Sequence, residues 1–260
     1  DRAIQFVRRH QDQPFFLHLA HSAPHRPLGA PQALVDAFLA RGLDKETATV
    51  YAMVEVMDRG IGQLLEELER LDLAKNTIVI FSSDNGPDPL VHERFNLDLR
   101  GAKYEVHEGG IHVPFIVRWP AKITPGESAR PVTFVDVIPT LMDLCKLKPA
   151  GLAVPDGTSF AGTLAGKKGT PDRSFFWQWN RHLPMYSHNA AMRRGRWKLV
   201  RPYVTREIPK KPSELSPLLF DLVNDPGEQQ DLSQKHPKRV RKMNAELEKW
   251  AREVEADRVR

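Results

Sequence analysis

The sequence predicts an α/β fold, with a mainly parallel central sheet flanked by helices and a smaller C-terminal α+β subdomain that contains an antiparallel sheet. Three observations predict it. Two apolar runs, PFFLHLA at residues 14–20 and TIVIF at 77–81, flank a long amphipathic helix, and strand–helix–strand is the grammar of a parallel sheet covered by helices. Beyond residue 150 the strand candidates become short and closely spaced, which suits antiparallel pairing. The 260 residues suffice for a large domain and a smaller one, and the expected division is 1–150 and 151–260.

The elements follow in order. Residues 1–13, DRAIQFVRRHQDQ, are too polar for a signal peptide and read as the end of an amphipathic helix, so an upstream portion is expected. Residues 14–20 read as a buried strand with His18 half-buried in it. HSAPHRPLGAP carries three prolines and must be a loop. Asp44 can cap a helix running to about Leu71, whose Val54, Met57, Ile61, Leu64, Leu65 and Leu68 recur at spacings of three and four as one buried stripe. Lys75-Asn76 turns the chain into the β-branched strand 77–81, and a further strand is expected at 115–119. A short helix near 139–147 tolerates Pro139 only in its first turn. Residues 151–173 are rich in glycine and turn formers. Strands are expected at 175–179, 189–192, 197–200 and 218–221. A final helix near 240–254 places Met243, Leu247 and Trp250 on one face.

Composition narrows the function classes. With 41% hydrophobic and 27% charged residues the chain is globular, not disordered. No apolar run approaches the roughly 20 residues that span a bilayer, so no membrane span is expected. The formal charge of +5 is spread along the chain and dense only in KHPKRVRK. That reads as a solvated basic surface, or as a field drawing anionic substrates, with no nucleic-acid partner. The single cysteine, Cys145, allows neither an internal disulfide nor a zinc site. It reads as a small buried apolar side chain.

Three local patterns could carry chemistry. SSDNGP at residues 82–87 directly follows the TIVIF strand, where open α/β sheets gather ligands. Asp84 and Asn85 are adjacent hard oxygen donors suited to calcium or magnesium, though two are too few for a complete cage. The same residues could simply turn the chain. In APHRP, His25 sits between prolines and could hydrogen-bond an anion or give a proton to a leaving oxygen, or be an ordinary loop histidine. In LRGAK, which runs on to HEGG, Lys103 could bring a compact charge to a tetrahedral oxyanion beside glycines that permit close approach, or be a solvated surface lysine.

Five blocks in order carry a family resemblance: PFFLHLAHSAPHRP; the helix-to-strand block ending in SSDNG; LRGAKYEVHEGGIHVPFIVRWP; MRRGRWKLV; and LFDLVNDPGEQQDL. Together the chain resembles the C-terminal half of the type I, formylglycine-dependent sulfatases, arylsulfatase-like members of the alkaline-phosphatase-type superfamily. The resemblance implies sulfate-ester hydrolysis on a sulfated small molecule or sulfated glycan. It implies that Asp84 and Asn85 ligate a divalent cation, calcium with magnesium as the alternative. It implies that His25 and Lys103 bind the sulfate group and are catalytic at the leaving oxygen. Relatives are often exported, so a periplasmic or extracellular location is expected.

The departures matter as much. The arginine of E-G-G-x-R is His112 here, and the aromatic before the glutamate is His107. The nucleophile motif C/S-x-P-S-R does not occur in these 260 residues. Nor do the family's paired aspartates or its lysine–histidine pair. The formylglycine is therefore expected upstream, and the chain by itself is expected to be an inactive fragment. The alternatives are a related phosphodiesterase or phosphonate hydrolase, and a non-catalytic module. The substrate's identity and the oligomeric state are not legible in the sequence.

Overall fold

A computed structural model describes residues 1–91, 96–148, 155–167, 169, 172–181, 184–204 and 211–258. They form two compact units. One comprises Asp1–Ser82, Pro87–Phe95 and Pro114–Ile123, the other Ser83–Gly86, Asn96–Val113 and Thr124–Arg260.

The first unit is organised by one long helix. Helices α1 (Arg2–Arg9) and α2 (Gln32–Leu39) pack against different ends of α3 (Lys45–Arg70). Asp44 caps α3 as expected, its carboxylate accepting from the Thr47 amide at 3.0 Å. Only the last part of the apolar stripe expected along α3 joins a core cluster, Leu64, Leu65 and Leu68 packing around Val7 of α1; the first half of the helix instead buries Ala48 and Ala52, outside that stripe, against Val35 of α2. Val54, also of that stripe, is exposed. Glu67 is buried between Arg8, whose Nε donates at 2.8 Å, and Arg70, whose Nε donates at 3.0 Å.

Strands β1 (Val79–Ser82) and β2 (Phe115–Arg118) pair antiparallel, with Val79 opposite Arg118 and Ser82 opposite Phe115. This corrects the orientation expected for the central sheet, while the α/β class stands. The expected strand at 14–20 is extended chain without a ladder. Phe15 and Leu17 turn toward the Val7–Leu68 cluster, Phe16 is 75% exposed and His18 is exposed rather than half-buried. The period-2 alternation of a strand is present, but a strand also needs a hydrogen-bonding neighbour, and none of the described residues supplies one.

The second unit contains the one-turn helix α4 (Glu108–Ile111), helix α5 (Val137–Cys145) and the short α6 (Ala161–Leu164). Pro139 is the third residue of α5, where its missing N–H costs nothing. Buried Asp136 ties this region together, accepting from the amides of Thr133 and Thr158 at 2.9 and 2.8 Å and from Arg173. Cys145 is exposed, contrary to expectation, because α5 ends there and Lys146 turns away in the left-handed region at φ 54°.

The C-terminal sheet matches its expected strands to within two residues. Strands β3 (Ser174–Gln178), β4 (Ala190–Arg194), β5 (Trp197–Arg201) and β6 (Leu218–Asp221) form an antiparallel meander in chain order. Alternation gives the sheet two buried faces. Met192, Leu199 and Leu219 pack on Met243 and Leu247 of helix α7 (Pro237–Arg258), and Phe176 stacks on Trp250 at 5.0 Å. Ala191, Val200 and Phe220 face the other way and enclose Val106, just before α4. Burying each large apolar side chain stabilises the unit by about 1.5–3 kcal/mol. No helix among the described residues is long and apolar enough to cross a membrane.

Candidate functional site

The segment Ser83–Gly86 belongs to the second unit and leaves β1 as a bend. Asp84 is exposed and Asn85 half-buried. The Asn85 side-chain nitrogen donates to the Asp84 carboxylate at 2.5 Å, and Ser83 Oγ donates to the Asn85 carbonyl at 3.2 Å. The amide and carboxylate are thus in direct contact with each other. Turning the Asn85 amide over would present two hard oxygens there. Among the described residues no group of three or more His, Cys, Asp or Glu side chains converges as a metal site. The pair therefore fits part of a divalent-cation shell, since calcium takes six to eight oxygens.

The bend is held by glycine contacts that leave no room for a side chain. The Gly86 amide donates to the Gly110 carbonyl at 2.9 Å. A β-carbon on Gly86 would lie 1.9 Å from the Gly109 carbonyl oxygen. The same one-turn helix receives the Lys103 loop on its other contacts. A β-carbon on Gly109 would lie 2.4 Å from the Gly101 carbonyl oxygen, and one on Gly110 would lie 2.1 Å from that of Glu105. The Gly109 amide donates to the Arg100 carbonyl at 2.7 Å. Helix α4 is thus the hub on which the Asp84–Asn85 bend and the Lys103 loop both rest.

Lys103 is half-buried, its ammonium 5.6 Å from the centre of the Tyr104 ring. Tyr104 takes φ 82°, and its carbonyl accepts from the side chain of buried Asn189 at 2.7 Å. His25 lies in the first unit, on the exposed proline loop whose Ala23–Pro24 and Arg26–Pro27 peptides are cis. Its Nδ1 is 2.8 Å from the Arg26 carbonyl oxygen. A carbonyl can only accept, so Nδ1 carries the proton and Nε2 is the edge left to meet a ligand. Arg26 is locked to Asp88, donating to its carboxylate at 2.7, 2.9 and 3.1 Å. The structure therefore brings Asp84, Asn85 and Lys103 onto one hub, with His25 carried by the other unit.

Lys198 and Glu228, which were not singled out as site residues in the sequence, lie beneath the hub and meet Glu108. Lys198 is fully buried in the middle of β5 and donates to Glu108 at 2.7 Å, with Glu228 at 3.0 Å. Glu228, also fully buried, accepts from the Glu108 amide at 2.5 Å. The other carboxylate oxygen of Glu108 lies 3.2 Å from Nδ1 of His112. Burial pushes the Glu108 carboxyl up, but the His112 hydrogen bond and the Lys198 charge outweigh it and hold Glu108 at about 2. The same hydrogen bond raises His112 above its ordinary value, against opposition from burial. His107 is buried 3.6 Å from Glu105, and neither ring nitrogen has a hydrogen-bond partner among the described residues. In the sequence, Glu108 and Glu228 fall inside the blocks that carry the family resemblance, and His107 and His112 are its departures, but nothing local joins them to Lys198.

Comparison with known proteins identifies the family. The model of the family described as Sulfatase matches residues 1–147, and that described as N-sulphoglucosamine sulphohydrolase, C-terminal, matches residues 102–256. The chain is 31% identical to N-acetylgalactosamine-6-O-sulfatase of Bacteroides thetaiotaomicron, over 95% of this chain and 49% of that protein. It is 30% identical to human (Homo sapiens) arylsulfatase A, over 85% of this chain and 45% of that protein. Among solved structures it is similar to Ps i-CgsB in complex with k-i-k-neocarrahexaose, with TM-score 0.81 and 30% identity, covering 96% of this chain and 53% of that one. The chain spans about half the length of these relatives. By the match of the first family model to more than half of its residues, this chain belongs to the sulfatase family.

Proposed function

We propose that this chain is the part of a sulfatase that holds the cation and the sulfate oxygens, and that the whole protein hydrolyses sulfate esters. The observation that carries the proposal is the convergence of two segments on α4, where glycines too tightly packed for a β-carbon seat the Asp84–Asn85 bend and the Lys103 loop together. The sulfatase family uses a divalent cation and a formylglycine. When bound, the cation supplies Lewis-acid stabilisation of the sulfuryl oxygens. Asp84 and Asn85 would hold it, and their adaptable oxygen donors favour calcium over the stricter octahedral demand of magnesium. Lys103 brings a point charge to the sulfate oxygens, where charge builds in the transition state. His25 keeps one ring proton on Nδ1, fixed on the Arg26 carbonyl; when the ring also carries a proton on Nε2, that N–H would hydrogen-bond the sulfate and pass its proton to the departing oxygen, leaving the neutral Nδ1–H ring.

The substrate class we infer is a sulfated glycan. Similarity to an N-acetylgalactosamine-6-O-sulfatase and to a structure holding k-i-k-neocarrahexaose supports it, and the net charge of +5 suits an anionic polymer. A periplasmic or extracellular location fits that substrate.

The test is turnover of an aryl sulfate against the matching aryl phosphate by the protein expressed from its complete native reading frame. Sulfate is expected to be preferred, and Lys103→Ala to lower kcat by about 10²–10³-fold, as for loss of one oxyanion donor. The 260 residues alone, which lack C/S-x-P-S-R, are expected to turn over nothing. A preference for phosphate, or full activity in Lys103→Ala, would overturn the reading.

A further inference from the structure

Nothing in the chemistry assigned above uses the C-terminal sheet, yet two of its buried polar side chains reach out of it to the hub. Lys198 lies between Trp197 and Leu199, which pack toward α7. Alternation along β5 sends its side chain to the opposite face with Val200. There its ammonium, fully removed from water, joins Glu108 on α4 to Glu228, which follows Gly227 in the Asp-Pro-Gly-Glu turn. Glu228 holds the left-handed φ of 54° and uses both ends. Its carboxylate takes the Glu108 amide, and its backbone carbonyl takes the Arg100 guanidinium at 3.1 Å. Asn189, 1% exposed and immediately before β4, splits its side-chain N–H groups between the carbonyls of Tyr104 and Trp179, each at 2.7 Å. One tie grips the helix that seats the Asp84–Asn85 bend. The other grips the residue next to Lys103.

A core designed only for stability would not need these charges. Burying an ammonium and two carboxylates is costly, and apolar replacements are often at least as stable. What such a group supplies is a fixed position. We propose that Lys198 and Asn189 are positioning residues of the candidate site, Lys198 acting through Glu108 on the cation-ligand bend and Asn189 acting through Tyr104 on Lys103. The kinetic part of this inference rests on the sulfatase reading, and the cation-affinity and exchange parts do not.

Two variants in the full-length protein separate the roles. Asn189→Gly retains the left-handed backbone at φ 47° and deletes only the side-chain ties. Lys198→Met combined with Glu108→Gln and Glu228→Gln removes the charges together, so that no buried carboxylate is left unpaired. Partners one step removed from a ligand commonly govern 10–100-fold in affinity or activity. The triple variant is expected to bind calcium about 10–100-fold more weakly by calorimetry, with faster exchange at the Gly86 amide. Asn189→Gly is expected to keep wild-type calcium affinity, lose about 10–100-fold in kcat, and lose exchange protection at the Glu105 amide, which donates to Ala102 at 3.0 Å. A merely structural role would lower Tm in both and leave calcium affinity and kcat of the folded protein unchanged, and that result overturns the proposal. If the triple variant does not fold, Asn189→Gly decides alone by its Glu105 exchange and its kcat. If the wild type cleaves no sulfate ester, the sulfatase reading fails, while calcium affinity and amide exchange still decide this one.

Discussion

Replacing Gly86 by alanine probes the hub with a single methyl group. The backbone of Gly86 is outside the left-handed region, so alanine is conformationally acceptable there, and fewer unfolded conformations would by themselves stabilise the variant by about 0.4–1 kcal/mol. Space decides the sign. The new β-carbon would meet the Gly109 carbonyl oxygen at 1.9 Å, with the carbonyl carbon at 2.9 Å and the Gly110 α-carbon at 3.0 Å. All three are backbone atoms that cannot rotate away. Relief requires the bend and α4 to part by ~1 Å in a region packed at crystal-like density, which strains the Gly86–Gly110 hydrogen bond of 2.9 Å. Overpacking of this kind costs about 1–3 kcal/mol, more than the entropic gain. The control is Gly60→Ala inside α3, where nothing lies within 4 Å of the added carbon, and where alanine should stabilise by about 0.5–1 kcal/mol. Urea unfolding of both variants, with calcium titration of the folded protein, gives the answer. A Gly86→Ala protein as stable as Gly60→Ala, with unaltered calcium affinity, would refute the claim that α4 seats the bend.

Two other perturbations test the second unit. Glu108 is held at about 2 against an ordinary 4.5, so its contribution is complete above pH 4.5 and fades as pH falls toward 2; His112 is raised above 6.5, so its contribution is complete below pH 6.5 and is lost as pH rises through its folded value. Stability from this pair therefore peaks between about pH 4.5 and 6.5, and His112→Asn should flatten the alkaline side and, since the His112 hydrogen bond is the largest influence holding Glu108 low, also weaken the acid side; because the His112 side chain is 61% exposed, the alkaline change is under ~1 kcal/mol, and parallel pH curves for variant and wild type would contradict the pairing. Leu247→Ala, at a fully buried position on α7, should cost about 2–5 kcal/mol by thermal unfolding, whereas Phe16→Ala, at a side chain 75% exposed, should stay within about 0.5 kcal/mol; equal losses would mean that the sheet–α7 core is misplaced.

The parts legible in the sequence were those set by local rules. The Asp44 cap, the end of α3, β1, β2 and the four C-terminal strands follow from capping chemistry and from periods of 3.6 and 2. The donor pair Asp84–Asn85 and the Lys103 loop were singled out by the family resemblance, since residue type and spacing alone equally allow a plain turn and a solvated lysine. What was not legible depended on partners far along the chain. Residues 14–20 have a strand's pattern, but pairing needs a second strand. The stripe on α3 looked buried along its whole length because α2, which claims Ala48 and Ala52, carries a weaker signal in PQALVDAFL. The antiparallel direction of β1 against β2 is set by the route of the intervening chain, on which strand periodicity is silent.

The Lys198 network shows why the deepest part of the site resists a sequence reading. A lysine in the strand WKLV looks like a solvent-facing residue of an edge, and a glutamate after Asp-Pro-Gly looks like a turn residue in water. Each becomes buried only because the other is there. The ammonium of Lys198 is shared by the two carboxylates, and His112 meets the Glu108 oxygen that Lys198 does not. An arginine at position 112, as in E-G-G-x-R, would hold its charge there across the ordinary pH range. Histidine loses that charge as pH rises through its folded value, which the Glu108 hydrogen bond raises. The substitution falls on the most exposed member of the network, where a change of charge is least costly to the fold and still acts on the carboxylate that holds α4.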